Sequence, residues 1–279
     1  MTVSSAPAQS VSFRDPPVIE VAFSMQFTAG VIDLELLGEI AGHAKAAFPR
    51  REQHPPIPAM NEEFNVRVAV PQLIFQTAAG LPRTWFVNPD GSRLVQVQSD
   101  RLGYNWRRDG LAQGEYPRYN GLRQELINQV LPIAERVVTS VPTARINVVE
   151  LSYINELRAG EAAPRGLHPP LNRFLRSVGS FDGEFLPQPE DARLQARWRI
   201  PGDAGVPVGR LYAAAEPAFS NRDETPIYVL NLTARLLAGH AGPSDAVALL
   251  DTAHEWIVRG FKDLTTDEMH KIWSLEEDT

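Results

Sequence analysis

The sequence predicts an α+β protein: a curved, mainly antiparallel sheet with helices packed on one face. Two segments, Val18–Phe27 and Arg193–Ile200, alternate apolar and polar residues, and this alternation is typical of a sheet with one buried face. Other segments, such as Ser244–Leu264, carry apolar residues at the spacing of an amphipathic helix. Long helices of this kind would cover one face of the sheet and leave the other available.

The first half of the chain is predicted to run in the order strand, helix, strands, helix. After the strand Val18–Phe27 we expect a helix over Asp33–Phe48, closed by Pro49, and a proline-rich loop over Arg50–Pro58. The other elements expected here are strands at Phe64–Val70, Leu73–Thr77 and Thr84–Asn88, a strand that starts at Arg93–Gln98 and continues to Trp106, and a helix over Asn120–Val138 kinked at Pro132.

Two connections in this half have recognisable patterns. The run Asn-Pro-Asp-Gly at 88–91 is a hairpin turn signal. In the strand from Arg93, Val95 and Val97 stand at odd positions, whereas Leu102, Tyr104 and Trp106 stand at even positions. A β-bulge near residues 99–100 would place both sets on one face of the sheet.

The second half is predicted to repeat the same order of elements. The elements expected are strands at Arg145–Leu157, Leu194–Ile200, Gly209–Glu216 and Ile227–Leu236, and helices at Pro170–Ser177 and Ser244–Leu264. Thr265 and Glu268 are spaced as a capping box that opens a last short helix ending near Trp273. We therefore expect a disordered leader over 1–14 and two similar halves, 15–142 and 143–279, which form one compact unit.

Composition excludes several classes of protein. The chain has 279 residues, a net charge of −7 and no cysteine, which excludes disulfides and thiol chemistry and argues against a general nucleic-acid binder. All but three of its 27 basic residues are arginine, which a GC-rich genome would explain. Neither a signal peptide nor a membrane-spanning run is visible, so we expect a cytoplasmic protein with no membrane contact.

No catalytic motif, metal site or cofactor site is predicted. His254-Glu255 lacks a histidine at position 258, so the zinc-protease spacing is not met. Gly-x-Ser-x-Gly, Gly-x-Gly-x-x-Gly and Walker sequences are all absent.

The polar side of the second-half strands is the first candidate binding surface. Its arginines are Arg193, Arg197, Arg199, Arg210 and Arg235. Guanidinium groups on one surface can bind phosphates or carboxylates bidentately. The alternative is cross-strand pairing within the protein, which needs no ligand. The acidic partners for such pairing would be Glu150, Glu156, Glu216 and Asp223.

A segment that mixes aromatic residues with arginines is the second candidate. Its members are Tyr104, Asn105, Trp106, Arg107 and Arg108, followed by Tyr116, Arg118 and Tyr119. Aromatic rings can stack on a ligand while arginines hold its charge. Equally, the rings can belong to the core at the end of a strand, with the arginines in water.

Several segments together carry a resemblance. They are residues 16–23, 96–108, 116–119 and 150–155, with His254-Glu255, Phe261 and the run 265–268. They resemble a sporadically distributed bacterial family of uncharacterised proteins of similar length. The resemblance implies an accessory role, such as a toxin–antitoxin or phage-defence module, and carries over no catalytic residue.

We therefore expect a non-catalytic binding or regulatory protein that engages a protein partner, or a second copy of itself, through its sheet face. The alternative is an enzyme or sensor of a nucleotide-like anion, with Arg197, Arg199 and Tyr104 near the pocket. A third possibility is single-stranded nucleic-acid binding, which the negative net charge disfavours.

Overall fold

The computed structural model describes residues 11–64, 81–108, 115–159, 167–180 and 183–277. Its strands are β1 (Val11–Phe13), β2 (Val18–Phe27), β3 (Arg50–His54), β4 (Arg83–Val87), β5 (Arg93–Gln98), β6 (Arg101–Arg107), β7 (Ile146–Leu157), β8 (Leu194–Pro201), β9 (Pro207–Phe219), β10 (Pro226–Ala241) and β11 (Leu275–Glu277). Its α-helices are α1 (Leu34–Ala44), α2 (Arg118–Gln129), α3 (Leu131–Ser140), α4 (Pro243–Leu264) and α5 (Asp267–Ile272). Short 3₁₀ turns occur at Leu171–Arg173 and Asp203–Gly205.

Within these ranges, nine strands form an open sheet in the order β3-β4-β5-β6-β2-β7-β10-β9-β8, while β1 pairs only with β11. The strand registers of β3 with β4, β4 with β5, β5 with β6 and β8 with β9 are antiparallel. The predicted α+β class with a mainly antiparallel sheet is therefore confirmed. On each side of the β2–β7 pair, the strands follow in reverse chain order, from β6 to β3 on one side and from β10 to β8 on the other. A duplication would give this arrangement, and the duplication itself stays a prediction.

The chain divides into two compact units. The first contains residues 1–21, 152–234 and 252–279, and the second contains residues 22–151 and 235–251. Both draw on β2, β7, β10 and α4, so each is built from segments distant in sequence. The two predicted halves, 15–142 and 143–279, remain a prediction about the origin of the chain.

Alternation along the strands sets the core, as the sequence predicts. In the second unit, Phe23 of β2 is buried and its ring stacks on that of Tyr119 in α2, at 6.1 Å between centroids. In the first unit, buried Tyr153 of β7 donates to or accepts from His254 of α4, with 3.1 Å between the hydroxyl and Nδ1. The apolar sides of these strands thus lie against helices.

The predicted bulge near residues 99–100 is wrong, because the chain turns there instead. β5 and β6 form a hairpin in which Val97 lies opposite Leu102 and Val95 opposite Tyr104. A two-residue turn pairs odd-numbered residues with even-numbered ones. The apolar residues of both parities therefore reach one face without an extra residue in either strand.

Several other boundaries also differ from the sequence prediction. β3 replaces the first part of the expected loop, because it pairs with β4 at the sheet edge. The expected long helix is two helices that meet at Val130, two residues before Pro132, which cannot donate the backbone hydrogen bond of a continuous helix. β1 lies within the expected leader, and its backbone pairs with β11 near the other end of the chain.

The last short helix begins one residue later than predicted. Its N-cap is Thr266, whose side chain accepts from the backbone N–H of Met269. Thr265 instead donates to the carbonyl of Phe261 and contacts His270. The predicted strands Phe64–Val70 and Leu73–Thr77 lie, apart from Phe64, outside the described residues. No helix of the described chain is long and apolar enough to cross a bilayer.

Candidate functional site

The polar face of β8 and β9 lies wholly in the first unit. β8 is the edge strand of the sheet, and Arg197, Arg199 and Gln195 on it are exposed. In the β8–β9 register, Arg199 lies directly opposite Arg210, and Arg197 lies opposite Tyr212. We call Arg193, Arg197, Arg199 and Arg210 the arginine face.

Internal pairing accounts for part of the arginine set. Arg193 Nε lies 3.2 Å from Glu216 Oε2, so this pair follows the cross-strand alternative. Arg197 and Arg199 make no hydrogen bond or ion pair within the described ranges. The two central arginines of the edge strand therefore have no counterion among the described residues.

Arg235 of β10 has a different setting, in the second unit. Its guanidinium donates to Glu150 of β7 at 2.5 and 2.8 Å and to Glu62 at 3.1 Å. The Glu62 side chain is completely buried. Arg235 is thus held between two carboxylates inside the protein and does not extend the arginine face.

The remaining acidic residues named as pairing partners are held by an arginine that the sequence did not single out. Arg158, just after β7, contacts both Glu156 and Asp223, the latter at 2.9 Å. The hydrogen bonds from Thr225 and Arg158 hold the pKa of Asp223 well below its usual range. Glu156 and Asp223 therefore do not neutralise Arg197 or Arg199.

The aromatic–arginine segment lies in the second unit, and its strand part is core. Tyr104 and Trp106 are 2% and 1% exposed, and Asn105 is 4% exposed. The Tyr104 hydroxyl donates to Glu125 at 2.5 Å, and Glu125 also accepts from Arg93 at 2.7 Å. Tyr104 and Trp106 are thus placed in the core, as the packing alternative describes, and Tyr104 contacts α2 through Glu125.

Burial also governs the ionisation of the two tyrosines that the segment shares with the core. Burial, then the hydrogen bond to Glu125, raises the pKa of Tyr104. Tyr119 is buried too, and burial with a 2.8 Å hydrogen bond to Asp251 raises its pKa. Both hydroxyls therefore stay protonated and act as structural donors.

Four members of this segment lie nearer the surface. Arg107 donates from Nε to the carbonyl of Gly91 at 2.7 Å, and Arg108 is half-buried. Exposed Arg118 lies 5.9 Å above the ring of half-buried Tyr116. Binding by this part of the segment stays a prediction.

Sequence reasoning missed a second polar surface, in the second unit. The segment 57–62 crosses the polar side of the sheet and is held by strand side chains. Gln26 of β2 donates to the Met60 carbonyl and accepts from its N–H, and Gln98 of β5 does the same with Ile57. Arg101 of β6 donates to Gln26 and to the Pro58 carbonyl. The polar residues on one side of these strands were visible in the sequence. They do not indicate which segment of the chain covers that side.

The first unit contains a cavity of about 520 Å³. Its lining is mainly apolar and includes Pro169, Pro170 and Leu171, together with His168 and Tyr228. His168 Nε2 donates to the Ala218 carbonyl at 3.0 Å. The cavity has the size of a small-molecule pocket, but none of the predicted site residues lines it.

The described residues include no group of three or more histidine, aspartate or glutamate side chains arranged to hold a metal ion. No protein-family model matches the chain. No curated protein is significantly similar to it. The resemblance drawn from the sequence therefore remains an expectation, and the function rests on the geometry of the sites.

Proposed function

We propose that this chain is a non-catalytic binding protein whose arginine face engages an acidic segment of a protein partner. The observation that carries the proposal is the state of Arg197 and Arg199, which project from an exposed edge strand without an internal carboxylate. A cytoplasmic location and a role in an accessory bacterial module belong to the same proposal.

The chemistry of the guanidinium group supports a carboxylate partner. Arg199 and Arg210 are directly opposite each other on adjacent strands, so Arg199 lies on a basic part of the sheet face. The planar guanidinium group suits carboxylates because it offers two parallel N–H donors.

The positive charge of the arginine face contrasts with the negative net charge of the whole protein. A chain with a net charge of −7 repels acidic partners at long range, so recognition of such a partner requires a local basic surface. Arginine is also enriched among the residues that dominate protein interfaces. Charged residues on an edge strand also prevent it from pairing with other chains. If this were the sole role of the arginines, the protein would bind no acidic partner.

Native mass spectrometry of the tagged protein, isolated from its own host, tests the proposal. We expect a stoichiometric second polypeptide on the wild type and its loss from the double variant Arg197→Glu with Arg199→Glu. The matched control is Arg51→Glu with Arg222→Glu, which changes two exposed arginines and the net charge equally. The control should retain the polypeptide.

A bare chain, or a polypeptide that the double variant keeps, would contradict the proposal. Fluorescence anisotropy with a labelled oligoglutamate peptide, a labelled adenine nucleotide and a labelled oligothymidine separates the alternatives. Preference for the nucleotide would favour the sensor or enzyme hypothesis. Tight oligothymidine binding that weakens steeply with salt would favour the nucleic-acid hypothesis.

A further inference from the structure

A small cavity in the second unit lies between the sheet and the covering segment 57–62. Its volume is about 90 Å³. Its lining residues include Ala22, Ser24, Arg83, Arg101, Gly103 and Glu150. The cavity is independent of the arginine face, since every lining residue belongs to the second unit.

Hydrogen-bond donors that line this cavity have no partner within the described ranges. They are the Nε atoms of Arg83 and Arg101, and the hydroxyl of Ser24 is likewise unpaired. Arg101 is more than nine-tenths buried. Because a buried donor without an acceptor destabilises the folded protein, and a charged donor does so more strongly, three such atoms around one cavity indicate a missing acceptor.

The charges around the cavity favour an anion over water alone. Neither Arg83 nor Arg101 forms an ion pair with a described carboxylate, while Glu150 already accepts two hydrogen bonds from Arg235. Burial lowers the pKa of Arg83 and of Arg101. The charges of Asp100 and Glu150 favour the charged form of Arg101, but burial outweighs them, and the neighbouring Arg83 disfavours that form further. An anion between them would stabilise both.

The size of the cavity limits what it can hold. Pockets for drug-sized molecules or nucleotides occupy about 300–1,000 Å³, so a base or sugar is too large. The volume equals about three water molecules in the liquid, which is the scale of one small oxyanion. Gly103 leaves this room, because a Cβ there would lie 3.1 Å from the Phe23 carbonyl oxygen and 3.5 Å from Gln96 Cβ.

From these contacts we infer that the cavity is a binding site for one small oxyanion of phosphate or sulfate size, held by Arg83, Arg101 and Ser24. Inorganic phosphate is the probe, and ³¹P NMR line broadening with the full chain at constant ionic strength is the measurement. Wild type should show saturable binding that sulfate displaces.

Two variants test the site without removing the buried Arg101. Arg83→Gln removes one guanidinium at a half-buried position, and Ala22→Leu fills the cavity from β2. Each should weaken phosphate binding at least tenfold. Arg51→Gln, an exposed arginine on β3, should bind as the wild type does.

Two results would overturn the inference. One is the absence of saturable binding to the wild type. The other is binding that survives both Arg83→Gln and Ala22→Leu, which would identify an adventitious ion only. The double variant Arg197→Gln with Arg199→Gln should keep phosphate binding, so loss of the arginine face and loss of this cavity site give different results.

Discussion

The substitution Gln26→Leu tests how the segment 57–62 is held on the sheet. The Gln26 side chain is 5% exposed and makes three hydrogen bonds: two with the Met60 backbone, at 2.5 and 2.9 Å, and one from Arg101 at 2.8 Å. Leucine has a similar volume and can make none of them. The variant therefore isolates the polar contribution from the packing contribution.

The expected loss follows from those contacts. Each neutral hydrogen bond contributes about 1 kcal/mol and the bond from the guanidinium about 2 kcal/mol, so the free energy of unfolding should fall by about 4 kcal/mol. This is a large effect for a single substitution. It arises because the Met60 backbone and Arg101 would stay buried with fewer partners.

Urea unfolding followed by tryptophan fluorescence measures this loss as a lower midpoint at unchanged slope. Amide exchange at Met60 and Ile57 reports on the segment itself, and the Met60 amide should lose protection. Gln124→Leu, at an exposed position of α2, is the control and should stay within about 0.5 kcal/mol of the wild type. A Gln26→Leu protein as stable as this control, with the Met60 amide still protected, would refute the reasoning.

Two further predictions concern protonation and helix packing. Burial lowers the pKa of His270 below its ordinary 6.5, so the unfolded chain binds a proton that the folded protein resists, and the free energy of unfolding should fall as pH drops through 6.5. His270→Gln should flatten this fall between pH 7.5 and 5.5 in urea titrations, and an unchanged slope would exclude His270 as its cause. Gly38→Ala in α1 should stabilise the protein by about 0.5–1 kcal/mol because its new Cβ meets no atom within 4 Å. Gly260→Ala in α4 should instead cost about 1 kcal/mol because its Cβ would lie 2.6 Å from Leu211 Cδ2, and equal thermal shifts for the two variants would contradict this packing.

Much of the fold could be predicted because its signals are local. Alternation placed Phe23 and Tyr153 on the buried side of their strands, and helical spacing located α1 and α4. The errors occur where pairing decides the outcome. β3 has the polar sequence Arg50–His54, which shows no alternation of its own, and it is a strand because β4 lies beside it.

The candidate sites were less predictable for the same reason. The sequence identified Arg197 and Arg199 as neighbours on one strand side, and their exposure agrees with that placement. It could not show that Arg235 is enclosed by carboxylates, since Glu62 lies 173 residues away in the chain. Nor could it separate a buried Tyr104 from an exposed one, because both fit an alternating strand.

The sequence by itself determined most of the strands and long helices, the sheet with one buried face and the absence of thiol chemistry, because each depends on residue type and short-range spacing. Only the tertiary structure decided which arginines have internal partners and where buried donors converge. Arg101 and Pro58 are 43 residues apart and yet hydrogen-bonded. Such contacts depend on how distant segments pack, and no local pattern encodes that packing.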